Sequence, residues 1–307
     1  METFCDVRVS TMWKDAFAGH LVETGCSERT VRAYSQDLRS FEKWFFQVNR
    51  QALAPELITG VDLRAYRTYS LETEQVSPST WNRRRAALRS LCSWGQDAGM
   101  LPYDPFQGVE AAEEVQLPPR WLTRSEYARV MRAVELLVNG AKTLMQIRQA
   151  VRDQAMLSLM VYAGLREGEL VALDFSDVEI SERKGRVTVR LGKGGKRRQV
   201  PLSSEARRAL ARWIDLGVVQ EGAFFVSKSG ERLTTRSVER AIKRIGVLAG
   251  VETLSPHVLR HTCAKRMLDA GVPLTVVSRI LGHARLETTA RYVQPGWEDY
   301  EVAVERI

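Results

Sequence analysis

Apolar residues recur at steps of three and four along the first hundred positions. From Ser27, the stretch SERTVRAYSQDLRSFEKWFFQV sets Val31, Tyr34, Leu38, Phe41 and Phe45 on one face, which predicts an amphipathic helix. A second helix is predicted from Ser77, a good N-cap, with Pro78 at the first helical position, where its missing N–H costs nothing. Trp81, Leu88, Leu91 and Trp94 form its apolar side, and Arg83, Arg84, Arg85 and Arg89 crowd the remainder. Shorter helices fit residues 11–23 and 59–73. Asp104–Pro119 (DPFQGVEAAEEVQLPP) gathers turn formers, acids and a proline pair, as a connecting segment would. The pattern therefore predicts a helical domain over 1–110, a linker over 111–119 and a second domain over 120–307.

In the second domain, helices are predicted near 123–138 and 145–163, the latter ending at Ala163-Gly164. The period then changes. VEISERKGRVTVRLGKGGKRRQVPL holds β-rich runs near 178–181, 186–191 and 198–202 with turn residues between them. Helices resume from about 203, with one more short strand at AFFV (223–226). Ser255 and Pro256 repeat the cap-and-proline signature of a helix start. The fold class expected is mainly α with a small antiparallel β-sheet: a helical N-terminal domain followed by an α+β domain.

At 307 residues, 44% hydrophobic and 27% charged, the chain has the length for two domains and an ordinary globular composition. No apolar run approaches the roughly 20 residues that span a bilayer, and METFCDVRVS does not read as a signal peptide, so a cytoplasmic protein with no membrane partner is expected. Cys5, Cys26, Cys92 and Cys263 form no CxxC pair and are expected to be buried, reduced thiols. Charge is unevenly divided. Residues 1–112 carry 13 Lys+Arg against 14 Asp+Glu, whereas 113–307 carry 32 against 23. Basicity concentrated in the second part suits a polyanion-binding domain.

Four stretches hold candidate chemistry: AGLREGEL (163–170), LGKGGKRRQVPL (191–202), SPHVLRH (255–261) and LGHARLETTARYV (281–293). Taken singly, each has an ordinary reading. Arg166 and Glu169 could be a surface ion pair at i, i+3, and GKGGK a solvated turn. His257 and His261 have the spacing of metal ligands, but no HExxH accompanies them. On a helix starting at Ser255, however, His257, Arg260 and His261 share one face near the positive end of the dipole, where anions bind.

Taken together and in this order, the stretches resemble the tyrosine recombinase (phage integrase) family over nearly the whole chain. AGLREGEL matches the family's first motif with Arg166 and the supporting Glu169. GKGGKRRQVPL places Lys193 in a β-hairpin turn, and HVLRH gives His257, Arg260 and His261. LGH gives His283, followed nine residues on by Tyr292 in ARYV. The resemblance implies a site-specific DNA recombinase that cuts and rejoins strands through a covalent 3′-phosphotyrosyl intermediate. In it Tyr292 is the nucleophile, His257 its proton acceptor and Lys193 the general acid for the leaving 5′ oxygen. Arg166, Arg260 and His283 hold the scissile phosphate; Glu169 orients the cations, and His261 is more often structural than catalytic.

The chemistry of the residues agrees with those roles. Phosphoryl transfer builds negative charge on non-bridging oxygens, which planar, permanently charged guanidiniums suit. A tyrosine hydroxyl, with a pKa of about 10, needs a base at neutral pH. With these groups around the phosphate, no cofactor, metal or ATP is expected, and no GxxxxGK[ST] occurs.

The resemblance further implies that the N-terminal domain is the family's helical, SAM-like core-binding domain. It would close a clamp on double-stranded DNA with inverted-repeat core sites, using Arg83, Arg84, Arg85 and Arg89. The layout matches the two-domain Xer-like type, with no room before residue 28 for an additional arm-binding domain. The final residues, 297–307, carry an apolar stripe (Trp297, Tyr300, Val304, Ile307) expected to dock on a neighbouring protomer and hold a homotetramer on DNA. A DNA-binding accessory protein without cleavage and a strand-relaxing type IB topoisomerase-like enzyme are the alternative readings. Phage integration, transposon movement and dimer resolution stay open, as do accessory proteins.

Overall fold

The computed structural model describes residues 3–114, 119–190, 197–282, 290 and 305, with side chains from residue 12 onward. It divides the chain into two compact units, Met1–Gln116 and Leu117–Ile307. The architecture is mainly helical with one small antiparallel sheet, as expected. No described helix is long and apolar enough to cross a membrane.

The first unit is built from helices α1 (Thr3–Glu23), α2 (Glu28–Asn49), α3 (Gly60–Thr68) and α4 (Pro78–Asp97). Helix α1 begins earlier than its apolar pattern predicts, since no proline or glycine interrupts Thr3–Ser10. Ser27 caps α2 by accepting from the Thr30 N–H, and Ser77 caps α4 by accepting from the Thr80 N–H, with Pro78 at the first position. Thr59 and Asp62 cap α3 reciprocally. The predicted helix over 59–73 changes geometry at Thr68 and closes with a wider, π-helical turn over Tyr69–Thr73.

The core of this unit is aromatic. Phe41, Trp44, Tyr66, Tyr69 and Trp81 pack with centroids 5.0–6.3 Å apart, Phe41–Trp44 and Tyr66–Tyr69 stacked and the other pairs edge-on or tilted. The Trp81 indole N–H is satisfied by donating to the Glu110 carbonyl at 3.1 Å.

Helix α4 departs from the expected arginine face. Arg84 is buried, and its guanidinium donates to both oxygens of Glu74 at 2.6 and 2.9 Å. The reason lies in the helical period. Arg84 falls between Trp81 and Leu88 at steps of three and four, so it shares their inward side and needs a carboxylate there.

The second unit is centred on α6 (Leu144–Tyr162), whose residues Ala155–Val161 are all buried. Around it lie α5 (Arg124–Asn139), α8 (Ser204–Asp215), α9 (Thr235–Leu248) and α10 (Pro256–Asp269). A short helix α7 (Glu167–Val171) leads to strands β1 (Val178–Ile180), β2 (Gly185–Val189) and β3 (Arg198–Pro201), paired in that order. Val187 pairs with Val178 on one side and Val200 on the other, which puts the buried Val187 and Val200 and the half-buried Val178 on the face toward the core. Helix α11 (Leu274–Leu281) packs on α10 through Val277 and Leu281 against Ala264.

No fourth strand forms at 223–226. Phe224 and Phe225 are both buried, so the run lacks the alternation of a one-sided strand, and it makes only isolated bridges at Ala223 and Val226. Among the described cysteines no disulfide forms. Burial pushes the Cys92 and Cys263 thiols up to about 12, keeping them protonated, whereas Cys26 is half-buried.

Candidate functional site

The site is organised by a turn at the end of α6. Gly164 adopts a left-handed conformation, φ +65°, and a Cβ there would lie 2.4 Å from the Leu281 side chain. Glycine is required on both counts. The turn delivers Arg166 as the N-cap of α7, and the Glu169 carboxylate one turn on accepts from the Arg166 backbone N–H at 2.9 Å.

Glu169 is buried, yet it carries a full set of donors. Oε1 accepts from Arg166 Nη1 at 2.8 Å and from Arg198 Nη1 at 2.8 Å. Oε2 accepts from the Arg166 N–H and from Arg198 Nη2 at 2.7 Å, with Arg260 Nη1 at 3.9 Å completing the ion cluster. Burial alone would raise the Glu169 pKa. The hydrogen bonds from Arg198 and the Arg166 backbone, with both arginine charges, outweigh it and hold the carboxyl below its ordinary range. Among the described residues, three permanently charged guanidiniums thus meet at the one Glu169 carboxylate.

Arg260 enters from the second turn of α10. Ser255 caps this helix by accepting from the Val258 N–H, and Pro256 follows it, as the sequence predicts. The Arg260 side chain is only 5% exposed. Its Nη1 donates to the Gly164 carbonyl, and its Nη2 donates to the Leu281 carbonyl at 2.6 Å. Arg166 is half-buried and sends Nη2 to the Gly282 carbonyl at 3.3 Å. The end of α11 therefore receives a hydrogen bond from each of Arg166, Arg198 and Arg260, since Arg198 Nε donates to Ile280 O at 2.9 Å.

His257 is exposed on the first turn of α10, and His261 is half-buried one turn later with their ring centroids 6.3 Å apart. Burial, then the neighbouring His257 and Arg260 charges, lower the His261 pKa to about 4. His261 is therefore neutral at pH 7, able to hydrogen-bond but carrying no charge toward an anion.

The structure brings Arg166, Glu169, Arg260, His257 and His261 into one region, with Arg166 and Arg260 around the Glu169 carboxylate. Lys193, His283 and Tyr292 lie outside the described residues, as do the stripe residues Trp297, Tyr300, Val304 and Ile307. Among the described residues no three His, Cys, Asp or Glu side chains stand close enough to hold a metal ion. Sequence reasoning missed Arg198. It sits in a basic run, KGGKRRQ, where spacing does not distinguish it from Lys196 or Arg197.

In the first unit, Arg83 forks onto the buried Asp37 with two hydrogen bonds of 2.9 Å, leaving half of its side chain exposed. Arg85 donates to the Val109 carbonyl, and Arg89 lies over the Phe106 ring, 3.6 Å from Asp104. Arg84 alone of the four is buried.

Comparison with known proteins gives the same organisation. The phage integrase family matches residues 120–297, and the phage integrase N-terminal SAM-like domain matches residues 15–99. Tyrosine recombinase XerC of Corynebacterium glutamicum is 32% identical over 282 residues, covering 91% of this chain and 85% of the relative. The XerC of Pseudomonas aeruginosa is 34% identical over 285 residues, covering 91% of this chain and 88% of its own length.

In fold, the chain is similar to XerH site-specific recombinase bound to a palindromic difH substrate, with a TM-score of 0.75, 19% identity and coverage of 96% and 95% of the two chains. A lambda integrase dimer bound to a core site gives 0.69 at 18% identity, covering 91% and 93%. The family matches span both units, and the identities to XerC hold over most of both chains; the chain belongs to the phage integrase family of tyrosine recombinases.

Proposed function

We propose that this chain is a site-specific recombinase that binds double-stranded DNA at inverted-repeat core sites, cleaves one strand with Tyr292 and rejoins it to another. The observation that supports this reading best is the convergence of Arg166 and Arg260 from separate helices on the buried Glu169. Two guanidiniums held by backbone and carboxylate before substrate arrives need little reorganisation when a phosphodiester gains charge. In this reading they bind the non-bridging oxygens of the scissile phosphate. His257, exposed at the start of α10, accepts the Tyr292 proton; His283 donates to the phosphate; Lys193 protonates the leaving 5′ oxygen. Joining the phosphate to tyrosine conserves the ester's energy, so the strand can be resealed without ATP.

Exposed side chains at Arg83 and Arg89, with Arg85 beside them, are the phosphate-facing candidates of the first domain, taken as residues 1–110. Arg84 supports the fold instead.

The acid role has a direct test. On a nicked suicide duplex, Lys193→Ala should slow formation of the covalent complex by about 10²–10⁴-fold, the usual range for general acid catalysis, at nearly unchanged binding. Replacing the leaving 5′ oxygen by sulfur removes the need for a proton and should restore the rate. Failure of that rescue in a folded variant transfers the role to another donor, with Lys196 the next candidate.

Residues 297–307 form a stripe too short to be stable alone, so they dock in trans and hold four protomers on two duplexes in this reading. Deleting them should leave half-site binding intact while abolishing cooperative full-site binding and strand exchange. Cooperative recombination by the truncated protein would place the stripe on its own domain.

A further inference from the structure

Arg198, which none of the sequence motifs singles out, is bound into the candidate site by all three of its guanidinium nitrogens. Its Nη1 and Nη2 fork onto Glu169 at 2.8 and 2.7 Å, and its Nε donates to the Ile280 carbonyl at 2.9 Å. The guanidinium also lies against the bare Cα of Gly282. A Cβ at that position would stand 2.8 Å from Nη1 and 3.0 Å from both Cζ and Nε. Gly282 has φ +68° as the residue that ends α11, so both its conformation and its missing side chain are used.

These contacts join separate parts of the site. Arg198 opens β3, five residues after Lys193 in the chain. Glu169 fixes the main chain and side chain of Arg166. Ile280 and Gly282 bracket Leu281, whose carbonyl accepts from Arg260, and the next residue after Gly282 is His283. One guanidinium thus ties the sheet, the α7 cap and the end of α11 together.

We propose that Arg198 is a positioning residue for strand cleavage: by saturating Glu169 and clamping Ile280–Gly282, it fixes where Arg166 and Arg260 present their charge. It does not touch the phosphate, and its effect passes through Glu169. The planar fork is essential to this role. Lysine has a single point of charge and cannot reach both carboxylate oxygens and the Ile280 carbonyl in one geometry.

This inference rests on the recombinase reading, and the experiment separates the two. Single-turnover covalent complex formation on a nicked suicide duplex is measured for wild type, Arg198→Met, Arg198→Lys, Glu169→Gln and the Met/Gln double variant. Half-site binding and melting temperature are measured alongside. Absence of a tyrosyl–DNA link in the wild type would sink the recombinase reading itself.

Given that link, Arg198→Met should cleave about 10²-fold more slowly, the cost of misplacing catalytic groups by about 1 Å, with binding changed less than about threefold. Arg198→Lys should fall between Met and wild type. Because Arg198 acts through Glu169, the double variant should be within about fivefold of the slower single variant rather than showing the product of both losses.

Three results would overturn the proposal. Wild-type cleavage by Arg198→Met would leave the residue without a role. Multiplicative losses in the double variant would mean that it acts independently of Glu169. Rescue of Arg198→Met by a 5′-thio leaving group would mean that it serves Lys193 instead. Should Arg198→Met fail to fold, the lysine variant and its combination with Glu169→Gln carry the same comparison.

Discussion

Tyr292→Phe should eliminate the covalent protein–DNA complex while half-site affinity stays within about threefold of wild type. Only the nucleophilic oxygen is lost, and the ring that fills its place is unchanged. Residues that act as a unit in covalent catalysis are grossly non-additive, and losing one can cost up to about 10⁶-fold in rate. A fall of at least about 10³-fold is therefore the minimum expected here. The measurement is denaturing electrophoresis of protein with a labelled suicide duplex, since a phosphotyrosyl bond survives denaturation and a non-covalent complex does not. Covalent product from the phenylalanine variant at anything near the wild-type rate would remove Tyr292 from the reaction. A different hydroxyl would then have to be sought.

Arg260→Ala should have the second largest effect, and it should register in two independent measurements. Catalytically, removing one preorganised donor to a developing oxyanion costs about 10²–10³-fold, and Arg260 brings a full charge as well as donors. Structurally, Arg260 satisfies the Gly164 and Leu281 carbonyls from a buried position. Leaving buried acceptors unpaired costs about 1–3 kcal/mol each before any relaxation. The alanine variant should therefore lose on the order of 2–4 kcal/mol of stability, read as a lower denaturation midpoint.

Arg260→Lys separates these effects. It restores one positive charge but not the two-pronged reach to the two carbonyls, so it should recover part of the rate and little of the stability. Glu169 keeps Arg166 and Arg198 in either variant, which prevents an unpaired buried carboxylate from dominating the result. An alanine variant that cleaves within threefold of wild type, or melts at the wild-type temperature, would contradict this assignment.

How much could be read without coordinates varied with the range of the interaction. Caps and periodicity are local, so Ser27, Ser77 and Ser255 announced their helices, and Phe41, Phe45 and Leu88 announced a core. Arg84 shows where composition misled. Four nearby arginines suggested a uniformly exposed basic face, yet the 3.6-residue period turned Arg84 inward between Trp81 and Leu88. Similarly, AFFV has the residues of a strand but packs both phenylalanines into the core without extended pairing.

The same division runs through the site. By itself the chain's order of residues determined the helical class with its small sheet, and the order of its four motifs carried the family resemblance that marked Arg166, Glu169, Lys193, His257, Arg260, His261, His283 and Tyr292. Such signals survive in one dimension because each motif is a short segment with its own turn or cap. Only the tertiary structure decided that Glu169 is a saturated hub, that Gly164 must be bare to admit Leu281, and that Arg198 joins β3 to α7 and α11. Arg198 meets its carboxylate 29 residues back and its carbonyl 82 residues ahead, distances at which no periodicity operates. The geometry of those contacts is set by how the helices and the sheet pack around α6, and a basic run in the sequence carries no trace of it.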